Sequence, residues 1–166
     1  MKKIICVILA IICIVGTVSA QASLDTTLYN TPPYNPPTGM HPRVFFTADR
    51  ISEIKANIEA EENELAKETL LKAKEKDLAS SNYLPSLFAA VEANAFCYVI
   101  YGDEEAGKKA AGAIEILKSK KEAIASQEGD DKTRNAGRLV NVLAEVYDWC
   151  YYLLSDTQKE EIITNL

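Results

Sequence analysis

The stretch from Arg134 to Leu166 carries the side chains best suited to binding a charged ligand. One polar stripe interrupts its apolar pattern, formed by Arg134, Arg138, Asn141, Glu145 and Asp148. Spacings of four, three, four and three place these residues on one face of an α-helix. Because guanidinium groups bind carboxylates through paired hydrogen bonds, we predict that Arg134, Arg138 and Asn141 contact an anionic sugar.

The alternative for this stripe is internal pairing of its own charges. Arg134 and Arg138 could neutralise Glu145, Asp148 or Glu92. We favour ligand binding for Arg134 and pairing for Arg138. Glu145 and Asp148 could also form a general acid–base pair, but carboxylates three residues apart on a helix more often hold arginines or backbone groups.

Two apolar helices are predicted to form the interior. Arg134–Leu154 is apolar on most sides around its polar stripe, and Leu84–Tyr101 carries a single charge, Glu92. Helices of this composition belong inside a larger helical body. Ser155 and Gln158 form a capping box that begins a further, more exposed helix after Leu154.

The segments around these two helices predict an outer layer. Thr47 is a candidate N-cap for an amphipathic pattern that runs from Ala48 to about Asp77 as one helix or as two helices separated by a break. Gly102 and Asp103 end one helix and begin the next, whose narrow apolar stripe is Ala106, Ala110, Ala113, Ile114 and Leu117. The polar segment 127–132 reads as a loop. Alternating inner and outer helices predict an all-α fold of antiparallel hairpins, as in the first part of an incomplete (α/α) toroid.

The N-terminal 46 residues predict export followed by an extended arm. Two lysines precede a short apolar run, and Val18-Ser19-Ala20 fits a signal-peptide cleavage site after Ala20. Residues 21–46 hold most of the prolines and read as an extended arm. We therefore expect a periplasmic or extracellular helical domain over residues 47–166, with no membrane segment left after cleavage.

The net charge, the cysteines and the lone histidine limit which classes of partner and cofactor are expected for this chain. The chain has a net charge of −6 and becomes more acidic when Lys2 and Lys3 leave with the signal peptide, which argues against nucleic acid. Cys97 and Cys150 lie in apolar helices, where free thiols pack as small hydrophobes, although export would permit a disulfide between them. No Cys/His set has metal-binding spacing, so we expect no metal and no cofactor.

Two segments about a hundred residues apart resemble one enzyme family. His41–Thr47, HPRVFFT, followed by a helix with isoleucines on one face, resembles the start of the mature part of heparinase II/III-like polysaccharide lyases. Tyr147–Tyr151, YDWCY, resembles a segment in the N-terminal helical domain of the same family. Arg134 and Gly137 lie at the spacing before Tyr147 that is typical of heparinase II-like members.

The resemblance implies a reaction, and it also implies that this chain lacks the catalytic residues for that reaction. It implies an (α/α) toroid that continues into further helices and a β-sandwich, and β-elimination on uronic-acid-containing polysaccharides such as glycosaminoglycans or alginate. The relatives carry their catalytic His and Tyr beyond the point where this sequence ends. We therefore expect an N-terminal fragment, inactive alone and prone to self-association. His41, the only histidine, is assigned a structural or surface role in preference to that of a catalytic base, and Arg43 is expected to anchor the arm to a carboxylate on the helices.

Two other functions stay open at this point. The chain could be a complete exported helical module that binds a protein or sugar without chemistry. It could also be a fragment of another α/α-toroid carbohydrate enzyme, such as a glycoside hydrolase. An unsaturated uronate product distinguishes the lyase from the hydrolase.

Overall fold

The computed structural model describes residues 40–81 and 83–165. The predicted signal peptide, and the predicted arm up to residue 39, lie outside the described residues. Within those ranges the chain is helical and contains no strand, which confirms the all-α class. The helices are α1 (Ile51–Glu59), α2 (Glu64–Lys74), α3 (Leu84–Tyr101), α4 (Glu104–Gly112), α5 (Ile114–Ala125), α6 (Gly129–Trp149) and α7 (Asp156–Asn165).

The first predicted amphipathic pattern forms two helices, α1 and α2. Thr47 occupies the N-cap position in extended conformation, without a side-chain cap hydrogen bond, and a short 3₁₀ turn leads into α1. Ala60 then leaves helical geometry, and Asn63 donates a 2.8 Å hydrogen bond to the carbonyl of Asn57, which satisfies the end of α1. Helix α2 ends at Lys74, slightly before the predicted limit at Asp77.

The central helix, α3, has the predicted limits. Pro85 lies in its first turn, and Gly102 ends it in the left-handed conformation at φ 71°. Leu87 and Phe88 are fully buried, because α3 contacts α1, α2, α4 and α6. By length and composition α3 could also cross a membrane; half of the apolar window is buried among its neighbours, as in the core helix of a helical domain.

The second outer segment is two helices rather than one. Asp103 caps α4 as predicted, accepting the amide of Ala106 at 3.0 Å. The chain then turns at Ala113, which separates α4 from α5. The predicted apolar stripe is buried throughout: Ala106, Ala110, Ala113, Ile114 and Leu117.

Both predicted limits of the last inner helix were wrong. Helix α6 begins at Gly129, inside the segment interpreted as a loop, because Asp130 and Asp131 favour the positive end of the helix dipole. It ends at Trp149, and Cys150 begins a turn that continues to Leu153. The first half of α6 is largely exposed and its second half largely buried, so only the second half is interior.

The capping box before α7 is confirmed. The backbone N–H of Gln158 donates to the Ser155 hydroxyl at 3.2 Å, and the side-chain oxygen of Gln158 accepts the backbone N–H of Ser155 at 3.0 Å. The Gln158 side chain also donates to the carbonyl of Ala111 at 3.3 Å, which links the start of α7 to the end of α4.

Candidate functional site

Asp148, near the end of α6, fastens the segment that precedes α1. Its Oδ1 lies 2.5 Å from Nδ1 of His41, and its Oδ2 accepts the backbone amides of Arg43 at 2.6 Å and Val44 at 2.7 Å. The Arg43 guanidinium approaches Oδ1 at 3.9 Å. Both side chains of the His41–Asp148 contact are almost fully buried. We call this arrangement of His41, Arg43, Val44 and Asp148 the Asp148 clamp.

Aromatic packing extends the clamp on both sides. The His41 ring stacks on Tyr151, with centroids 3.8 Å apart, and Lys159 Nζ lies 4.1 Å from the Tyr151 centroid. Next to Asp148, the Trp149 indole donates a 3.2 Å hydrogen bond to the carbonyl of Val44. The segment is therefore attached by side-chain stacking and by backbone hydrogen bonds together.

Trp149 also anchors the segment through apolar contact. Its ring packs against Phe46 from the docked segment, at 5.6 Å between centroids, and against Phe96 from α3, at 5.7 Å. Phe45 lies in the sequence between Val44, which accepts the indole hydrogen bond, and Phe46, which packs on the Trp149 ring. Its backbone has φ 67°, a left-handed conformation that costs a non-glycine residue about 1 kcal/mol. That cost is offset by the hydrogen bonds and the packing on either side of Phe45.

His41 is buried in the clamp, so the structural role expected for it agrees with the structure and the surface role does not. Arg43 lies near a carboxylate on α6, as expected for an anchor of this segment. A buried His–Asp pair resembles the base and orienter of a hydrolase. Here, however, the second carboxylate oxygen is occupied by two backbone amides and the imidazole is sandwiched against Tyr151. The carboxylate partner of His41 lies 107 residues away, and no sequence pattern indicated that contact.

The structure brings together two of the three residues predicted to bind an anion. Arg138 donates to Glu92 on α3 at 2.6 Å, and Asn141 donates to Oε1 of Glu145 at 2.8 Å. Arg134 lies outside this cluster and pairs with the exposed Asp131. Pairing of Arg138 with Glu92 is the alternative that the sequence favoured for this arginine.

Glu145 is the most perturbed acid of this cluster. It is only 4% exposed, and its Oε2 is shielded from solvent and accepts no hydrogen bond from a donor group of the described residues. Burial, the nearby carboxylate of Glu92 and a side-chain hydrogen bond between the two acids together raise the pKa of Glu145 to about 7, against the opposing effects of Arg138 and Asn141. Glu145 therefore holds a proton near neutral pH, which the sequence pattern did not indicate.

Glu145 and Glu92 line a cleft of about 230 Å³ between α2, α3 and α6. The cleft is otherwise formed by Thr69, Leu70, Ala73, Ala89, Ala93, Phe96 and Trp149. Within the described ranges, no group of three or more His, Cys, Asp or Glu side chains is placed to hold a metal ion. The arrangement is that of a small, mostly apolar cleft with carboxyl groups on one side.

Both cysteines of the helical domain are buried free thiols. Cys97 lies in α3 and Cys150 directly after α6. Burial raises the pKa of both thiols, that of Cys150 to about 12, so neither is a reactive thiolate at neutral pH. They pack as small apolar side chains.

The comparisons with known proteins leave the function to be argued from these residues. No protein-family model matches the chain, and it matches no curated protein and no solved structure.

Proposed function

We propose that this chain is the N-terminal helical part of an exported polysaccharide lyase of the heparinase II/III-like type, acting by β-elimination on a uronic-acid-containing polysaccharide. One observation supports this most. The two segments that resemble the family, His41–Thr47 and Tyr147–Tyr151, contact each other through Asp148 and Trp149. They behave as one structural unit, which two unrelated chance similarities would have no reason to do. In this proposal the helical hairpins are the opening part of an (α/α) toroid.

Arg134 and Arg138 are proposed to bind the uronate carboxylate or a sulfate, with Asn141 beside them. The side chain of Arg134 is 65% exposed and that of its partner Asp131 is 66% exposed. An exposed pair of this kind contributes about 0–1 kcal/mol, so an incoming carboxylate can replace Asp131 at little cost. Arg138 is 45% exposed and keeps guanidinium N–H groups available beyond its bond to Glu92.

No catalytic acid or base is assigned to this chain. β-Elimination needs a group that neutralises the uronate carboxylate, a base that removes the C5 proton and an acid that protonates the leaving oxygen. The arginines are suited to the first task. His41 is committed to Asp148 and Tyr151, so we propose that the base and acid belong to another part of a longer protein.

A non-catalytic exported binding module is the second candidate. This candidate is favoured by the position of His41, the one histidine in the sequence. His41 is buried in the Asp148 clamp, where it cannot act as a catalytic base on a substrate. The complete reading frame that contains this sequence separates the two candidates. The protein encoded by that complete reading frame should be incubated with alginate, chondroitin and heparan sulfate. If it is a lyase, it should release an unsaturated uronate that absorbs in the ultraviolet; hydrolysis without that double bond would indicate a glycoside hydrolase instead.

Binding by this chain is tested with uronate oligosaccharides and Arg134→Ala. We expect a loss of affinity of several-fold, about what an exposed ion pair of up to about 1 kcal/mol provides, with unchanged helicity. Arg50→Ala is the matched control, because Arg50 forms a similarly exposed pair with Glu53 three residues along the chain. Equal losses in both variants, or a parallel loss of helicity in Arg134→Ala, would remove the binding role.

A further inference from the structure

We propose that the cleft between α5 and α6 binds a small organic anion with an aliphatic body, such as a short alkyl carboxylate. Lys121 and Lys132 hold the anionic group, and the apolar side chains of the cleft hold the body. This inference goes beyond the proposed function and does not rest on it. It is carried by the residues that line the cleft, by their charge and by the size of the cleft.

The floor of this cleft is part of the packed core. Ile124 of α5, with Leu139 and Leu143 of α6, lines the cleft, and each of the three is at most 7% exposed. The connection between the two helices is fixed as well, because the buried Asn135 donates a 2.9 Å hydrogen bond to the side chain of Gln127. The floor is therefore held in place by the fold itself, as in most small-molecule sites.

The rim of the cleft leaves apolar surface in contact with water. Ala125, Ala136 and Val140 line the cleft and are exposed, Val140 to 45%. Exposed aliphatic surface that continues into a buried floor favours the binding of an apolar body, because binding removes both surfaces from water. The described residues that line the cleft include no aromatic ring, so the cleft is better suited to an alkyl chain than to stacking.

The charge at the cleft selects the sign of the ligand. Among the described residues that line it, the charged side chains are Lys121 from α5 and Lys132 from α6, and none is a carboxylate. Asp131, directly before Lys132, pairs with Arg134, and Lys132 forms no ion pair with any described residue. Two lysines from two helices beside an apolar floor complement an anion with an apolar body and repel an alkylammonium ion of the same shape.

The size of the cleft limits the ligand to a small molecule. Its volume of about 250 Å³ corresponds to roughly eight water-sized groups. A carboxylate with a short alkyl chain, such as hexanoate, has this size, whereas a long acyl chain or a sugar chain would extend beyond the lining. A second copy of this chain is the competing occupant of the exposed rim, and the test below separates the two.

The test is an NMR titration of the whole chain, with isotope-labelled Ile, Leu and Val methyl groups, with sodium hexanoate at about pH 7, where carboxylates are ionised and lysines protonated. We expect saturable shifts of the methyl groups of Ile124, Leu139, Val140 and Leu143. 1-Hexanol should bind more weakly and hexylammonium should not bind. Equal binding of all three, or no saturable shift with hexanoate, would overturn the proposal. Shifts that follow the protein concentration and not hexanoate would overturn it in favour of contact between copies.

Variants assign the binding to the lysines and to the rim. Lys132→Gln should weaken hexanoate about 3- to 5-fold, as expected for the loss of an exposed ion pair, and the double variant Lys121→Gln/Lys132→Gln about 10-fold or more. Lys120→Gln is the matched control, because it removes the same charge from α5 outside the cleft lining and should leave the affinity unchanged.

Ala136→Leu tests the apolar part of the site separately. The larger side chain fills part of the exposed rim and keeps both lysines, so hexanoate binding should be lost while the helicity measured by circular dichroism is retained. Unaltered affinity in the double lysine variant or in folded Ala136→Leu would refute the site. An equal loss in Lys120→Gln and Lys132→Gln would assign the effect to net charge and refute it too.

Discussion

His41 and Asp148 lie 107 residues apart in the chain, and their side chains meet in a buried contact of 2.5 Å. This contact, with the two backbone amides that share the same carboxylate, fixes the segment before α1 on the end of α6.

Asp148→Asn should destabilise the fold by about 2–4 kcal/mol. An amide keeps the volume of the side chain but loses the negative charge and one of the two acceptor oxygens. Its NH₂ group faces either the backbone amides of Arg43 and Val44, donor against donor, or the imidazole of His41, which must then present Nδ1 as an acceptor. Urea unfolding followed by circular dichroism measures the change. Asp131→Asn, an exposed position on the same helix, should shift the unfolding free energy by less than about 1 kcal/mol, and equal effects would contradict a special role for the clamp.

Trp149→Ala should destabilise by about 3–5 kcal/mol, because the ring is buried between Phe46 and Phe96. Trp149→Phe keeps most of the packing and removes only the hydrogen bond to Val44, so it should cost much less, about 1–3 kcal/mol. Thermal unfolding of both variants gives the comparison. An effect of Trp149→Ala within the range of surface substitutions would mean that the ring is not part of the core.

Gly107→Ala should destabilise although alanine is the better helix former. An added Cβ would lie 2.7 Å from Cγ of Tyr98 and 2.5 Å from Cδ1 of Leu153, so α4 would have to move away from α3 at a cost of about 1–3 kcal/mol. Gly112→Ala, in the same helix but facing open space, should instead stabilise by about 0.5–1 kcal/mol. Opposite signs for the two variants in denaturant unfolding are the expected result, and a stabilising Gly107→Ala would show that the close approach is easily relieved.

Glu145 should make stability fall as pH rises from about 4.5 to about 7. Its pKa is raised in the folded state, so in this window the folded protein keeps a proton that the unfolded chain has lost, and folding is favoured by the more acidic condition. We expect the protonated Glu145 to contribute about 1–3 kcal/mol to the unfolding free energy. This contribution is present below the unfolded-state pKa of about 4.5 and is lost as the pH rises through the folded-state pKa of about 7.

The measurement for Glu145 is the unfolding free energy of wild type and Glu145→Gln from about pH 4.5 to 8. The neutral glutamine should lose this decline and gain stability relative to wild type at the alkaline end. Glu62→Gln, at an exposed glutamate, should keep the wild-type slope. Parallel curves for wild type and Glu145→Gln would show that Glu145 titrates normally.

The sequence predicted helices best where local signals mark both ends. Pro85 and Gly102 bracket α3, and Ser155 with Gln158 begins α7, because caps depend on residues a few positions apart. The start of α6 was misplaced because its first turns are exposed and lack the apolar periodicity that identifies a helix. Its end was misplaced because Cys150 to Leu154 stays apolar through a turn.

The site was less predictable, because its contacts join distant parts of the chain. The stripe on α6 could be identified from spacing, and Glu92 was a possible partner for Arg138. The approach of Glu92 to Glu145 depends on how α3 packs on α6, which no local pattern specifies. The same holds for His41, whose neighbours in sequence include no acid that could indicate Asp148.

The clamp also implies an order of assembly. The helices contact mainly their near neighbours in the chain, whereas joining His41 to Asp148 closes a loop of 107 residues and carries a correspondingly larger entropic cost. The segment before α1 should dock after the helices have collapsed, and release first when they loosen. The amide hydrogens of Arg43 and Val44 would then exchange with solvent faster than those of α3. Their exchange would report release of the segment before α1 ahead of unfolding of the helices.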